Sequence, residues 1–277
     1  MTISNIKKQI RRFIHVRIKK LRRIAGKTLG LQVVQNRSAL LLERYESPYL
    51  DPSTGSEYKE ICDAIAKSGM RIVFDMPANY TVYNSIKYII ENNIPGDIVE
   101  CGVGNGIKIR IIVEFLVRRG TIDRQIFLYD TFAGMTAPSE HDAKTVVSLD
   151  VQKKWELHRA ETHNNWYYFA LETVRANIEQ AGYPKEKFFF IQGDVLKTLP
   201  NKKHERVALL RLDTDFYESS RHELVHLYDL VSHRGVVIFD DYGGWEGQRK
   251  ATDDFFKQRG EFPFFHRTCR KERVVIK

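Results

Sequence analysis

Five short apolar runs alternate with helical patterns from residue 97 onward, and four of them end in an acid. The runs are DIVECGV (97–103), QIFLYD (125–130), KFFFIQGD (187–194), RVALLRLD (206–213) and GVVIFDD (235–241). Apolar residues at helical spacing mark IKIRIIVEFLVRR (107–119), NWYYFALETVRANIEQ (165–180), ESSRHELVHLYDLV (218–231) and GQRKATDDFFKQR (247–259). FPFFHRT (262–268) and ERVVIK (272–277) read as a closing antiparallel pair. Strands alternating with helices predict an α/β fold: an open, mostly parallel, seven-stranded sheet with helices on both faces. Ligands of such sheets sit outside the carboxyl ends of the strands. Asp130, Asp194, Asp213 and Asp240 fall there, with Glu100 at the end of the first run.

The rest of the chain is read from charge and punctuation. Residues 1–37 hold eleven Lys or Arg and no acid, the first acid being Glu43. Without them, 33 basic residues face 35 acidic ones, so the net charge of +9 belongs to an arm and the body is slightly acidic. A nucleic-acid enzyme carries its basic surface on the folded domain, so no nucleic-acid partner is expected. Within the arm, Ile3, Ile6, Ile10, Phe13, Ile14, Ile18, Leu21 and Ile24 recur every three or four residues opposite Lys and Arg. That pattern predicts a basic amphipathic helix over 1–30, suited to an anionic membrane surface, a partner subunit or an organelle-targeting role. No apolar run approaches the ~18 residues of a membrane span. Cys62, Cys101 and Cys269 form no CxxC pair, which points to a reducing compartment. The predicted location is cytoplasmic, with a peripheral position at the inner face of the membrane. Residues 38–80, rich in loop signals, read as a lead-in with a short helix near 56–68, and the main domain is expected over 81–277.

The first strand runs into Glu100-Cys-Gly102-Val-Gly104-Asn-Gly106. Glycines let the backbone turn tightly and approach a ligand. The spacing departs from the dinucleotide GxGxxG pattern and places a carboxylate ahead of the glycines. Such a carboxylate repels a pyrophosphate but suits an ammonium or sulfonium group, which favours S-adenosylmethionine over NAD. Asp130 is placed to accept from ribose hydroxyls and Asp194 to face an adenine amino group.

Asp213 and Asp215 close the fourth strand; Asp240 and Asp241 close the fifth. Convergent carboxylates repel one another, and a hard divalent cation such as Mg²⁺ relieves that. A long segment, 133–165, is expected to cap the sheet edge. His163 within it is a candidate general base, with His141 a further candidate. Trp166, Tyr167 and Tyr168 are candidates to stack on an acceptor ring.

In order, GDIVECGVGNG, LYDTFAGM, IQGD, LLRLDTDFYES and GVVIFDDYGGWEG resemble the macrocin O-methyltransferase (TylF/MycF-type) family over roughly residues 78–277. The resemblance implies a Rossmann-like class I methyltransferase that uses S-adenosylmethionine and Mg²⁺ to methylate hydroxyls of sugars or sugar-bearing metabolites. It implies Asp213, Asp240 and Asp241 as metal ligands, Asp213 also as a catalytic base, and a homo-oligomeric state. It implies Glu100, Gly102, Gly104, Asp130, Thr131, Gly193 and Asp194 as the cofactor site. The family continues its first loop with a Trp-Arg-Gly-Gly-Ser type sequence, where this chain has Gly104-Asn-Gly-Ile. The Asp213-Thr-Asp215 spacing also resembles the DxD motif of nucleotide-sugar glycosyltransferases, an alternative that the glycine loop and the Asp240-Asp241 pair oppose. A scaffold protein at a membrane surface is the non-enzymatic alternative.

Overall fold

The structure is a computed structural model that describes residues 31–36, 39–44, 56–72, 76–142, 150–199 and 204–277. The amphipathic pattern over 1–30 lies outside the described residues. The chain divides into two units between Ser56 and Glu57. In the first, strands β1 (Leu31–Asn36) and β2 (Ala39–Arg44) pair antiparallel.

The second unit holds a seven-stranded sheet. Its strands are β3 (Asp97–Cys101), β4 (Ile126–Asp130), β5 (Phe188–Gln192), β6 (Val207–Leu212), β7 (Val231–Phe239), β8 (His266–Arg267) and β9 (Arg273–Ile276). Their order is β5-β4-β3-β6-β7-β9-β8. The first five are parallel; β9 runs antiparallel to β7, and β8 to β9. All six residues of β6 are buried, as a central strand covered on both faces requires. The chain moves from β3 outward to β4 and β5, then returns to lay β6 on the other side of β3. The point of reversal therefore lies between the carboxyl ends of β3 and β6, where a crevice forms.

Helices cover both faces. One layer contains α1 (Glu57–Lys67), α2 (Pro77–Glu91) and α3 (Ile107–Arg118). Tyr83 of α2 holds it together, 5.1 Å from Tyr58 and 5.8 Å from Phe115 between ring centroids. The sequence reading places α1 but runs loop up to residue 80. Pro77 in fact opens α2, because a first-turn residue has no intrahelical N–H bond to lose. On the opposite side, α7 (Tyr217–Leu227) and α8 (Glu246–Arg259) pack Leu224, Leu227, Phe255 and Phe256 against Leu210, Leu212 and Phe239 of the sheet. Among the described residues, no helix is long and apolar enough to cross a membrane.

Three boundaries differ from the sequence reading. The helix expected from residue 165 begins only at Leu171, as α5 (Leu171–Glu179). Asn164 Oδ1 accepts the Trp166 N–H at 2.9 Å, and Tyr167 takes φ 55°, which no right-handed helix accommodates. Strand β7 starts at Val231, four residues early, with an irregularity near Arg234 at φ 65°. Strand β8 is only two residues long and leaves Phe262 and Phe264 exposed ahead of it. The expected cap, where described, contains a turn at Glu140–Asp142, helix α4 (Val151–Leu157) and a bridge between Arg159 and Asn164. It is pinned by Val151 and Trp166, which pack with Phe216 and Trp245.

The crossing of β3 and β6 is the tightest point near the crevice. Gly102 has φ 81°, and a Cβ there would lie 2.1 Å from the Asp213 carbonyl oxygen. Gly102→Ala is expected to destabilise the protein by more than about 1 kcal/mol, since it adds both strain and a backbone clash. Denaturant unfolding measures it; an unchanged midpoint would contradict the close approach.

Candidate functional site

The ladder carries each acid to the same edge. Past the last paired residues, Gly102 N–H donates to Tyr129 O at 2.8 Å, Asp213 N–H to Cys101 O at 2.8 Å and Asp240 N–H to Leu212 O at 3.0 Å. Successive strands thus end at one level. Above them opens a cleft that spans the ends of β3, β4, β5, β6 and β7. Gly102, Gly104, Asp130, Thr131, Gly193 and Asp194 line one part of it, and Asp213, Asp215, Asp240, Asp241 and Lys271 another.

The Asp130 end of the cleft is held by ordinary loop chemistry. Asp130 Oδ2 accepts from the N–H of Val103 at 2.7 Å and of Gly104 at 3.2 Å, while Oδ1 accepts from Phe132 at 2.7 Å. The carboxylate therefore orders both the glycine loop and its own turn, and presents its remaining lone pairs to the cleft. Burial pushes its pKa up, and these backbone bonds oppose the shift. Asp194 caps α6 (Val195–Thr198), accepting from Leu196 N–H at 3.0 Å, and still lines the cleft. Glu100 differs from expectation. It is buried behind the wall, not among the lining residues, because its direct cross-strand partner on β6 is Arg211.

Arg211 organises the charge. Its Nη1 lies 2.5 Å from Glu100 Oε1 and 3.0 Å from Asp213 Oδ2; its Nη2 lies 2.5 Å from Asp240 Oδ1. One guanidinium cannot stabilise three buried carboxylates equally. Burial raises the pKa of all three, but Arg211, then Lys108, outweigh it at Asp240 and hold that carboxyl well below the usual range. At Glu100 burial outweighs Arg211 and the pKa rises to about 7. At Asp213 burial, with Asp240 and Asp241 adding repulsion, raises it well above normal. Asp215 and Asp241 are raised too, first by burial and then by neighbouring aspartates.

The structure brings Asp213 and Asp241 together, and with them Asp215, which the expected ligand set omits. One carboxylate oxygen from each lies within 4.8 Å of the others. Asp240 stands beside this trio but turns to Arg211. Lys271 Nζ approaches Asp241 Oδ1 at 2.7 Å as an ion pair. Gln248, fully buried on α8, fixes the level of the two strand ends: it accepts from Asp241 N–H at 2.7 Å and donates to Leu212 O at 3.1 Å. The donors suit a hard divalent cation: all are carboxylate oxygens, and Asp215 Oδ1 is buried with no hydrogen-bond donor. Five carboxyl groups, Glu100, Asp213, Asp215, Asp240 and Asp241, face three cations, Arg211, Lys108 and Lys271.

Neither histidine candidate reaches the cleft. His163 bonds Asn165 Oδ1 at 3.0 Å and stacks on Tyr168 at 4.4 Å, because the Arg159–Asn164 bridge folds that segment outward. His141 packs on Tyr217 at 4.3 Å. Cleft-facing bases are the carboxylates, and Asp213, with 26% of its side chain exposed, is the most open of Asp213, Asp240 and Asp241. Sequence reasoning missed Arg211 and Lys271. A charged residue inside the otherwise apolar run VALLRL is a usable signal, since such a residue must be paired; Lys271 carries no such mark.

The raised carboxyl pKa values set a pH dependence. A folded-state pKa above the unfolded value stabilises at low pH, and the gain is lost as pH rises through the folded value. For Glu100 that value is about 7, and for Glu223, buried under the Asp213–Asp215 loop and bonded to Thr214, about 8. Asp240 titrates far below this window. The metal-free protein is therefore expected to lose Tm between about pH 5, just above the unfolded value, and about pH 8, and saturating Mg²⁺ to recover part of that loss, more at the higher pH. Differential scanning calorimetry checks both; a Tm that rises with pH without metal contradicts the charge assignment.

Residues 79–262 match the family model described as macrocin-O-methyltransferase (TylF). A tetracenomycin-C 4'-O-methyltransferase from Streptomyces olivaceus, whose name specifies a dimethoxy-rhamnosyl substrate, is 33% identical over 170 residues, 61% of each protein. Demethyldecarbamoylnovobiocin O-methyltransferase from Streptomyces niveus is 32% identical over 170 residues, 61% of this chain and 62% of that protein. The chain thus spans under two thirds of the length of these relatives. Among solved structures, the O-methyltransferase NovP superposes with a TM-score of 0.64 at 25% identity, covering 73% of this chain and 79% of that one. The strand order, the crevice at its reversal and the match over residues 79–262 lead to one conclusion: this chain belongs to the TylF macrocin-O-methyltransferase family and has the class I methyltransferase fold.

Proposed function

We propose that the protein transfers a methyl group from S-adenosylmethionine to a hydroxyl of a sugar or sugar-bearing glycan, with Mg²⁺ as the resident cation. The observation that carries this reading is the shared cleft: Asp130 and Asp194 at one part and the Asp213, Asp215, Asp241 trio at another open into the same space. The names of the Streptomyces olivaceus relative and of mycinamicin III 3''-O-methyltransferase from Micromonospora griseorubida, 27% identical over 163 residues, support the sugar class.

S-adenosylmethionine supplies an electrophilic methyl group on sulfonium, open to in-line displacement. A cation held by Asp213, Asp215 and Asp241 would stabilise charge developing on the acceptor oxygen and orient it. The chain's own residues do the rest. Asp130 and Asp194 present acceptors to the nucleoside. Asp213, open to the cleft and ionised once a cation is bound, takes the hydroxyl proton. Arg211 keeps Asp240 and Asp213 in place from behind, and Gly102 lets the end of β3 pass close to the Asp213 backbone.

Asp213→Asn is expected to lower kcat by about 10²-fold or more while leaving S-adenosylmethionine affinity within about threefold. Methyl transfer to sugar glycosides, followed by S-adenosylhomocysteine release with Mg²⁺ or with EDTA, is the assay. Cation-independent turnover would remove the metal from the reading.

The reading extends to location. The basic amphipathic pattern over 1–30 supports a peripheral position on the anionic, cytoplasmic face of a membrane. Removing residues 1–30 is expected to abolish co-sedimentation with anionic liposomes; equal sedimentation of both forms counts against it.

A further inference from the structure

Tyr167 combines an unusual backbone with an exposed ring whose one ring contact among the described residues is its own neighbour Trp166, at 6.1 Å. Its backbone sits at φ 55°, a region rarely adopted by a bulky side chain. Its side chain is not sheltered in return: the residue is 58% exposed. Both neighbours have packing reasons for their positions. Trp166 is 4% exposed, 5.5 Å from Trp245, and its carbonyl accepts from Met135 N–H at 3.1 Å. Tyr168 turns away to stack on His163. The inversion at Tyr167 sends only this ring into the lining of the cleft, on the side of Asp213, Asp215, Asp241 and Lys271.

A second left-handed residue lines the same cleft. Asp215 has φ 68°, so the extra member of the acidic trio and Tyr167 both take the left-handed backbone region within one cleft lining. Strain gathered on two cleft residues is what a binding site retains and a packing core discards.

We infer that Tyr167 is a specificity-determining residue for the acceptor: a platform for the C–H face of a pyranose ring, with its hydroxyl directed toward the acidic trio that orients the reacting hydroxyl. This rests on the sugar-methyltransferase reading above and refines it. An aromatic ring offers an apolar face and a polar tip in one rigid unit, which matches a sugar's C–H face and hydroxyl edge. The ligand class is a six-membered sugar ring with adjacent hydroxyls, recognised through its face as well as its oxygens.

The test uses methyl α-L-rhamnopyranoside and the methyl glycosides of fucose, glucose and galactose as probes. Each is added to the full chain with Mg²⁺ and S-adenosylhomocysteine, and saturation-transfer NMR records which sugar protons contact the protein. Methyl transfer to the same glycosides is measured in parallel. In the wild type, C–H protons of one ring face are expected to show saturation. Tyr167→Ala is expected to lose it and to raise acceptor KM about tenfold or more, with S-adenosylhomocysteine and Mg²⁺ affinities within twofold. Tyr167→Phe is expected to keep the saturation and weaken binding about 2- to 10-fold, the range of one hydrogen bond. Tyr167→Gly, at ease with positive φ, is expected to keep or raise Tm, which separates loss of binding from loss of fold. Saturation unchanged in Tyr167→Ala overturns the inference and leaves the methyltransferase reading standing. No saturation and no transfer with any glycoside in the wild type overturns the sugar reading, and the inference with it.

Discussion

The site depends on one buried guanidinium. Arg211 sits on the central strand β6 with its charge in contact with Glu100, Asp213 and Asp240. Burying an unpaired cation there would be prohibitive, and burying the three acids without it equally so. Together they form a rigid block that ties the end of β3 to the ends of β6 and β7. The block also divides labour among the acids. Asp240 is held ionised against Arg211, while Asp213, Asp215 and Asp241 stay short of positive charge and face the cleft.

That shortage is the source of chemical capacity. A cluster satisfied by its own protein would have no use for a divalent cation, and an unsupported one would hold its protons. Lys271 compensates Asp241 from the rim, and Gln248 fixes the backbone of the same turn from below. The tight turns at Gly243 and Gly244, where a Cβ would meet Arg270 O at 2.1 Å and Asp241 Oδ1 at 2.5 Å, leave that loop little freedom. Preorganised charge of this kind is worth more than charge assembled during the reaction.

Much of this was legible in the residues because two periodicities are hard to confuse. Apolar runs of five or six residues between amphipathic helices gave the parallel strands, and an acid at the end of four of the five marked the functional edge. Tertiary forces decided what local pattern did not. NWYYFA has helical spacing, but Trp166 is drawn into the Phe216–Trp245 cluster and Tyr167 is inverted, so the helix waits until Leu171. His163 looked like a base because it falls in the cap; the bridge that turns it outward joins Arg159 to Asn164, a pairing with no sequence mark. Asp215 was visible as part of Asp-Thr-Asp, yet only its left-handed backbone explains how residues two apart reach the same point as Asp241. Glu100 carried the right chemistry for the cleft, but its strand register delivers it to Arg211.

The central claim is that the ends of β6 and β7 hold a divalent cation beside the nucleoside cleft. Anomalous diffraction from crystals grown with Mn²⁺ and S-adenosylhomocysteine tests it most directly. The account predicts an Mn²⁺ peak within ligand distance of carboxylate oxygens of Asp213, Asp215 and Asp241, with the nucleoside against Asp130. A bound nucleoside with no Mn²⁺ peak among those aspartates, or with Lys271 still paired to Asp241 beside a metal bound elsewhere, would contradict it.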